Sequence, residues 1–130
     1  MLEDKAHSII HRFSGKRVLI VGDVMLDEYI YGDVHRISPE APVPVVEIQR
    51  RNFIPGGAAN TATNIAELGG QALLYGVVGD DPQADKLRDV MSERENLHIE
   101  LFVDHQRRTT TKTRIIAHNQ QIVRIDYETR

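Results

Sequence analysis

Three sets of side chains in this 130-residue sequence have types and spacings that could do chemistry. Asp23 and Asp27 stand four apart in Gly22-Asp23-Val24-Met25-Leu26-Asp27, directly after the apolar run Val18-Leu19-Ile20-Val21. Carboxylates placed there can accept hydrogen bonds from a polar ligand, or serve in turn and cap geometry. The second set is Pro55-Gly56-Gly57-Ala58-Ala59-Asn60, a proline–glycine turn leading into small residues and an amide. Such a turn delivers a helix N-terminus, with its unpaired N–H groups and partial positive charge, beside Asn60. A polar or anionic ligand fits that arrangement, and so does a plain loop–helix junction. The third set, Lys112, Arg114 and Arg124, lies in a β-rich segment. Lys112, Arg114 and Ile116 would share one strand face, with Thr113, Ile115 and Ala117 on the other. A basic strand face suits an anionic ligand, or the solvated side of an edge strand.

Other charged groups carry less. His7 and His11 lie four apart, but with no third ligand nearby they read as a solvated helix face. In Gly79-Asp80-Asp81-Pro82 a carboxylate precedes a proline, which predicts helix capping by Asp81 rather than metal binding. Neither G-x-G-x-x-G nor G-x-x-x-x-G-K occurs, so neither common nucleotide loop is present.

The elements that must position these groups follow from periodicity. A short helix is expected over Leu2–Phe13, with Ile9, Ile10 and Phe13 buried. Arg17–Val21 reads as a strand buried on both faces, as in the centre of a parallel sheet, and Asp23 and Asp27 then lie in the crevice beyond its carboxyl end. Pro39, Pro42 and Pro44 exclude helix and predict an extended edge segment, followed by a short strand at Val45–Gln49 outside the main sheet. A helix over Ala58–Leu68 would turn Ala62, Ile65, Ala66 and Leu68 inward and stop at Gly69. Gln71–Val78 is a second buried strand, Gln83–Glu95 a helix with Leu87, Val90 and Met91 inward, and Ile99–Val103 a third strand. Thr109–Tyr127 forms a hairpin turning at His118–Gln121. Strand, helix and strand in this order mean an α/β fold with a partial parallel sheet, flanking helices and a small β-sheet lid.

Composition sets the bounds. Hydrophobic residues make up 41% and charged residues 27%, the mix of one ordinary globular domain. A net charge of −3 offers no case for a nucleic-acid or anionic-membrane partner. Without cysteine there are no disulfides or thiolate metal sites. No signal-like or membrane-spanning run occurs, so a soluble cytoplasmic protein is expected.

Four stretches together closely resemble the first half of a sugar kinase of the ribokinase (PfkB) family, nearest its heptose 7-phosphate kinase branch. They are Val21–Asp27, Arg36-Ile37-Ser38-Pro39-Glu40-Ala41-Pro42-Val43-Pro44-Val45-Val46, Pro55–Asn60, and Asn119-Gln120-Gln121-Ile122-Val123-Arg124-Ile125-Asp126. The resemblance implies a ribokinase-like fold in which residues 1–130 form the sugar-binding and lid half, with lid segments near 34–51 and 109–127. It implies that Asp27, Gly56, Gly57 and Asn60 bind the sugar. It makes Lys112, Arg114 and Arg124 candidates for the substrate's phosphate. The small-molecule partner would be a sugar phosphate, and the lid would form a homodimer contact. The complete enzyme would use ATP and Mg²⁺, but neither is expected to bind this half alone. The family's Gly-Ala-Gly-Asp run, whose aspartate is the general base, does not occur in the sequence. Turnover by these residues alone is therefore not expected, and no catalytic residue or metal ligand is assigned. The rival expectation is a non-catalytic sugar-phosphate-binding or dimerisation module.

Overall fold

The computed structural model describes residues 2–129. Its element order is α1 (Leu2–His11), β1 (Arg17–Val21), β2 (Val24–Ile37), β3 (Pro44–Gly57), α2 (Ala58–Glu67), β4 (Gln71–Val78), α3 (Pro82–Met91), β5 (Leu97–Val103), β6 (Thr111–Ala117) and β7 (Gln120–Tyr127). Two sheets form. The first is wholly parallel, with strand order β1-β4-β5. The second has order β3-β2-β6-β7, in which β2 pairs antiparallel with β3 and parallel with β6.

The core lies where α2 and α3 meet β4 and the start of β2. Val24, Leu26, Ala59, Ala62, Leu74, Val78, Leu87 and Met91 are all essentially inaccessible. Alanines at positions 59, 62 and 66 make one side of α2 nearly smooth, which lets its backbone approach the sheet. Burial of each large apolar side chain in this cluster contributes about 2 kcal/mol. Asn96 closes the far end of α2, where its Nδ2 donates to the carbonyls of Ala66 at 2.8 Å and Gly70 at 2.7 Å. The Ala66 carbonyl also accepts from Gly69 N–H at 3.0 Å, so Asn96 adds a second bond there and ties the end of α2 to the segment leading into β4.

Several sequence expectations are corrected here. β1 is not buried on both faces: it is an outer strand, with Leu19 62% and Val21 74% exposed. Its apolar run does encode a strand, but only β4 covers one of its edges. Helix α1 ends at His11, and Ile9, Ile10 and Phe13 are exposed, because no core element packs over that side. Leu68 falls after α2 and points outward, leaving the alanines as the inward side. Helix α3 stops at Met91, and β5 starts two residues earlier than its apolar run suggested.

The largest correction concerns the second sheet. In place of a short strand at 45–49, β2 and β3 are strands of 14 residues each, paired from Val24↔Gly57 to Ile37↔Pro44. The sheet therefore extends well beyond the expected lid segments. Pro55, Gly56 and Gly57 close β3 instead of forming a loop, and Asp27 sits within a strand rather than in a crevice loop. β3 is an outer strand, which is where a proline costs no ladder hydrogen bond. The hairpin β6–β7 turns through His118 and Asn119, both with positive φ. Among the described residues no helix is long and apolar enough to cross a membrane.

Candidate active site

Paired residues in neighbouring strands project from the same face of a sheet. Along β2, the alternation from Asp27 through Tyr29 to Tyr31 defines one face. Their β6 partners are Lys112, Arg114 and Ile116, and the β7 partners of the two basic residues are Asp126 and Arg124. On β3 the same face carries Gly56 (opposite Met25) and Arg50 (opposite Tyr31). Six of the seven residues proposed from sequence come from distant segments and meet on, or next to, this one face. The seventh, Asn60, is exposed on the first turn of α2, directly after Gly57.

The glycines are required by close approach. A Cβ on Gly56 would stand 2.6 Å from Asp27 Oδ2 and 2.6 Å from Met25 Cγ. Gly57 has φ 57°, and a Cβ there would lie 2.4 Å from the carbonyl oxygen of Asp23. That carbonyl accepts a hydrogen bond from Ala58 N–H at 2.9 Å, so Asp23 acts through its backbone as a joint between β2 and α2. Its side chain is exposed. Gly57 is also the residue preceding α2, and no side chain caps that helix. The carboxylate of Asp27 thus lies against Gly56, on the strand that leads into α2.

Arg114 completes the cluster. Its Nη1 donates to Asp27 Oδ1 at 2.7 Å, and the two side chains are only 21% and 19% exposed. This hydrogen bond, outweighing desolvation, holds the Arg114 guanidinium above its ordinary pKa. Arg114 also lies 5.1 Å from the Tyr29 ring centroid. Arg124 is more exposed and is engaged twice by Asp126, at 2.8 and 3.0 Å. Lys112 enters no ion pair among the described residues.

Three members of this face, Arg50, Tyr29 and Tyr31, escaped the sequence reading. Arg50 lies 4.1 Å from the Tyr31 ring centroid, and Tyr31 stacks with Tyr29 at 6.4 Å. Continuing the two-residue alternation from Asp27 would have placed both tyrosines beside it. The opposite face of the same sheet borders a cavity of about 350 Å³ lined by Glu28, Arg51, Thr111 and Tyr127. A larger concavity, about 830 Å³, runs past Arg17, Gln71 and His98 at the starting ends of the parallel strands, away from Asp27.

Residues 16–129 match the pfkB family carbohydrate kinase. The chain belongs to that family. A bifunctional protein HldE of Caulobacter sp. is 47% identical over 129 residues, spanning 99% of this chain and 26% of that protein. A D-beta-D-heptose 7-phosphate kinase of Bordetella bronchiseptica is 49% identical over 117 residues, 90% of this chain and 37% of that one. The PfkB-family chain therefore spans roughly a quarter to a third of the length of these curated relatives. Among solved structures, a carbohydrate kinase from Agrobacterium tumefaciens aligns with TM-score 0.68 at 18% identity, covering 85% of this chain and 35% of its own. Arabidopsis thaliana ribokinase complexed with ribose and ATP aligns with TM-score 0.63 at 16% identity, covering 88% and 37%. The fold is ribokinase-like: a parallel sheet with flanking helices and a second small sheet.

Proposed function

We propose that this chain is the sugar-binding and lid half of a heptose 7-phosphate kinase. The complete enzyme would transfer a phosphoryl group from ATP to the anomeric C1 hydroxyl of D-glycero-D-manno-heptose 7-phosphate. The 1,7-bisphosphate so formed would feed ADP-heptose and lipopolysaccharide core synthesis in the cytoplasm. The observation that carries this reading is the 49% identity, across 90% of the chain, to a protein named D-beta-D-heptose 7-phosphate kinase.

The geometry supports a division of labour. A carboxylate has several acceptor positions, so Asp27 can take hydroxyl hydrogen bonds from a polyol while keeping its bond to Arg114. Gly56 lets the Asp27 carboxylate lie close against the backbone, and the amide of Asn60 can both donate and accept. Of the three candidate cations, Arg114 and Arg124 already hold carboxylates, which leaves Lys112 as the preferred contact for the 7-phosphate. The second sheet, closing over the sugar, would exclude water from the transferred phosphoryl group.

Among the described residues no cluster of three or more metal-ligating side chains occurs, and the sequence has no phosphate loop. ATP and Mg²⁺ are proposed for the complete enzyme, and none of these residues is assigned to hold them. The general base and the nucleotide site would belong to the part of the enzyme carrying Gly-Ala-Gly-Asp.

Calorimetric titration of the 130-residue chain with heptose 7-phosphate tests the reading. Binding is expected, with affinity reduced about tenfold or more by Asp27→Asn. ATP-dependent product formation is expected to be absent; turnover by the chain alone would overturn the division of labour. The rival, a dimerisation module without a sugar site, has its own support. β7 is an outer strand exposed along its whole length, with Ile122, Val123, Ile125 and Tyr127 each 39–46% accessible. Dimerisation without any sugar binding would favour that rival.

A further inference from the structure

We infer that Arg114 is a positioning residue for Asp27 and not a ligand of the substrate phosphate. The inference rests on the reading of Asp27 as the acceptor of sugar hydroxyls. Of the three basic residues proposed from sequence, Arg114 alone is both sheltered and bound to Asp27. Its Nη1 donates to Asp27 Oδ1 at 2.7 Å and lies 3.4 Å from the carbonyl oxygen of Lys112. Its guanidinium carbon lies 5.1 Å from the Tyr29 ring centroid. The fork is thus held by a carboxylate, a strand carbonyl and an aromatic face.

Asp27 is constrained in turn. One oxygen meets Arg114, and the other lies where a Cβ on Gly56 would come within 2.6 Å. The carboxylate is fixed against the glycine turn, the place where a sugar hydroxyl could also touch the backbone. Recruiting Arg114 to a phosphate would remove the counter-charge from a carboxylate that is four-fifths buried. Leaving such a group unpaired costs more than one exposed ion pair can return. Arg124 has no such duty, because its partner Asp126 is on its own strand and its side chain is 50% exposed.

The test is a double-substitution cycle on heptose 7-phosphate affinity, measured by calorimetry on the 130-residue chain with a thermal melt of each variant. Asp27→Asn and Arg114→Met are each expected to weaken binding about tenfold. If Arg114 works through Asp27, the double variant is no weaker than either single one, and Arg114→Lys recovers part of the loss. A double variant about a hundredfold weaker, the product of the two losses, would make Arg114 an independent contact and overturn the inference. So would an unchanged affinity in Arg114→Met. An unaltered chain that binds no sugar phosphate, or an Asp27→Asn variant that binds normally, would sink the reading of Asp27 itself and this inference with it. Where Arg114→Met loses its cooperative melt, Arg114→Gln and Arg114→Lys carry the same cycle.

Discussion

Helices α2 and α3 are each 10 residues long and begin in opposite ways. At α3, Asp81 is the cap: its Oδ1 accepts from Ala84 N–H at 3.0 Å, and Pro82 occupies the first helical position. The other carboxylate oxygen accepts from Thr109 N–H at 2.8 Å, tying the helix start to the segment that leads into β6. At α2 the corresponding residue is Gly57, which has no side chain to offer, so no side-chain cap forms and the Ala58 N–H is taken by the Asp23 carbonyl at 2.9 Å. Asp27, on the strand paired with β3, is turned to Arg114. The third helical residue differs in the same sense: Ala84 is buried in the core, whereas Asn60 is exposed. One helix start is saturated by its own chain. The other has a backbone bond at its first N–H but no side-chain cap, and that difference separates a structural junction from a candidate site.

The most damaging way to break the comparison is to give α2 an ordinary residue where it has glycine. Gly57→Ala combines a positive φ with a Cβ placed 2.4 Å from the Asp23 carbonyl. Left-handed strain and the forced shift of backbone together should cost on the order of 3 kcal/mol. Chemical denaturation is the measurement. A loss below about 1 kcal/mol would mean that the β3–α2 junction relaxes freely and that its geometry is not imposed by the glycine.

Asp81→Ala attacks the saturated start. It removes a cap and leaves the Thr109 N–H without its partner, a loss of about 2 kcal/mol at neutral pH. Burial alone would raise the Asp81 pKa, but the hydrogen bonds from Thr109, Ala84 and Gln83 outweigh it and hold the group below its ordinary value. A carboxylate with a depressed folded pKa stabilises the protein above its unfolded pKa, near 4, and that contribution disappears as pH falls through the lower folded value. The stability gap between the two proteins should therefore be constant at neutral pH and narrow below about pH 4. A gap that persists undiminished in acid would assign the loss to packing rather than to the carboxylate.

The two starts were unequally legible in the sequence. Asp81-Pro82 is a local signal, since cap, proline and helix are adjacent in the chain, and the structure has it as read. β4 was equally clear, because its apolar run from Ala72 to Val78 is bounded by Gly70 and Gly79. The candidate site needs a partner 87 residues away, Arg114 against Asp27, and no local pattern encodes that contact. The length of β3 was hidden for a related reason. Glu47, Arg50, Arg51 and Asn52 show no apolar alternation, and they are held extended by their pairing with β2 instead of by burial. In β1 the error ran the other way. An apolar run specifies a strand, but whether its faces are covered depends on elements that its own residues do not encode.

Asn60→Ala gives the smallest effect and the sharpest separation. Asn60 is the third helical residue, exposed, and alanine is the better helix former by about 0.5 kcal/mol, so folding stability should stay level or rise slightly. On the proposed reading Asn60 contacts the sugar beside Asp27. Heptose 7-phosphate affinity should then fall several-fold, about 1 kcal/mol, the scale of one neutral hydrogen bond. Parallel melts and titrations distinguish the cases. A stability loss above about 1 kcal/mol with unchanged affinity would make Asn60 part of the junction, and the contrast with Ala84 would then be one of packing alone.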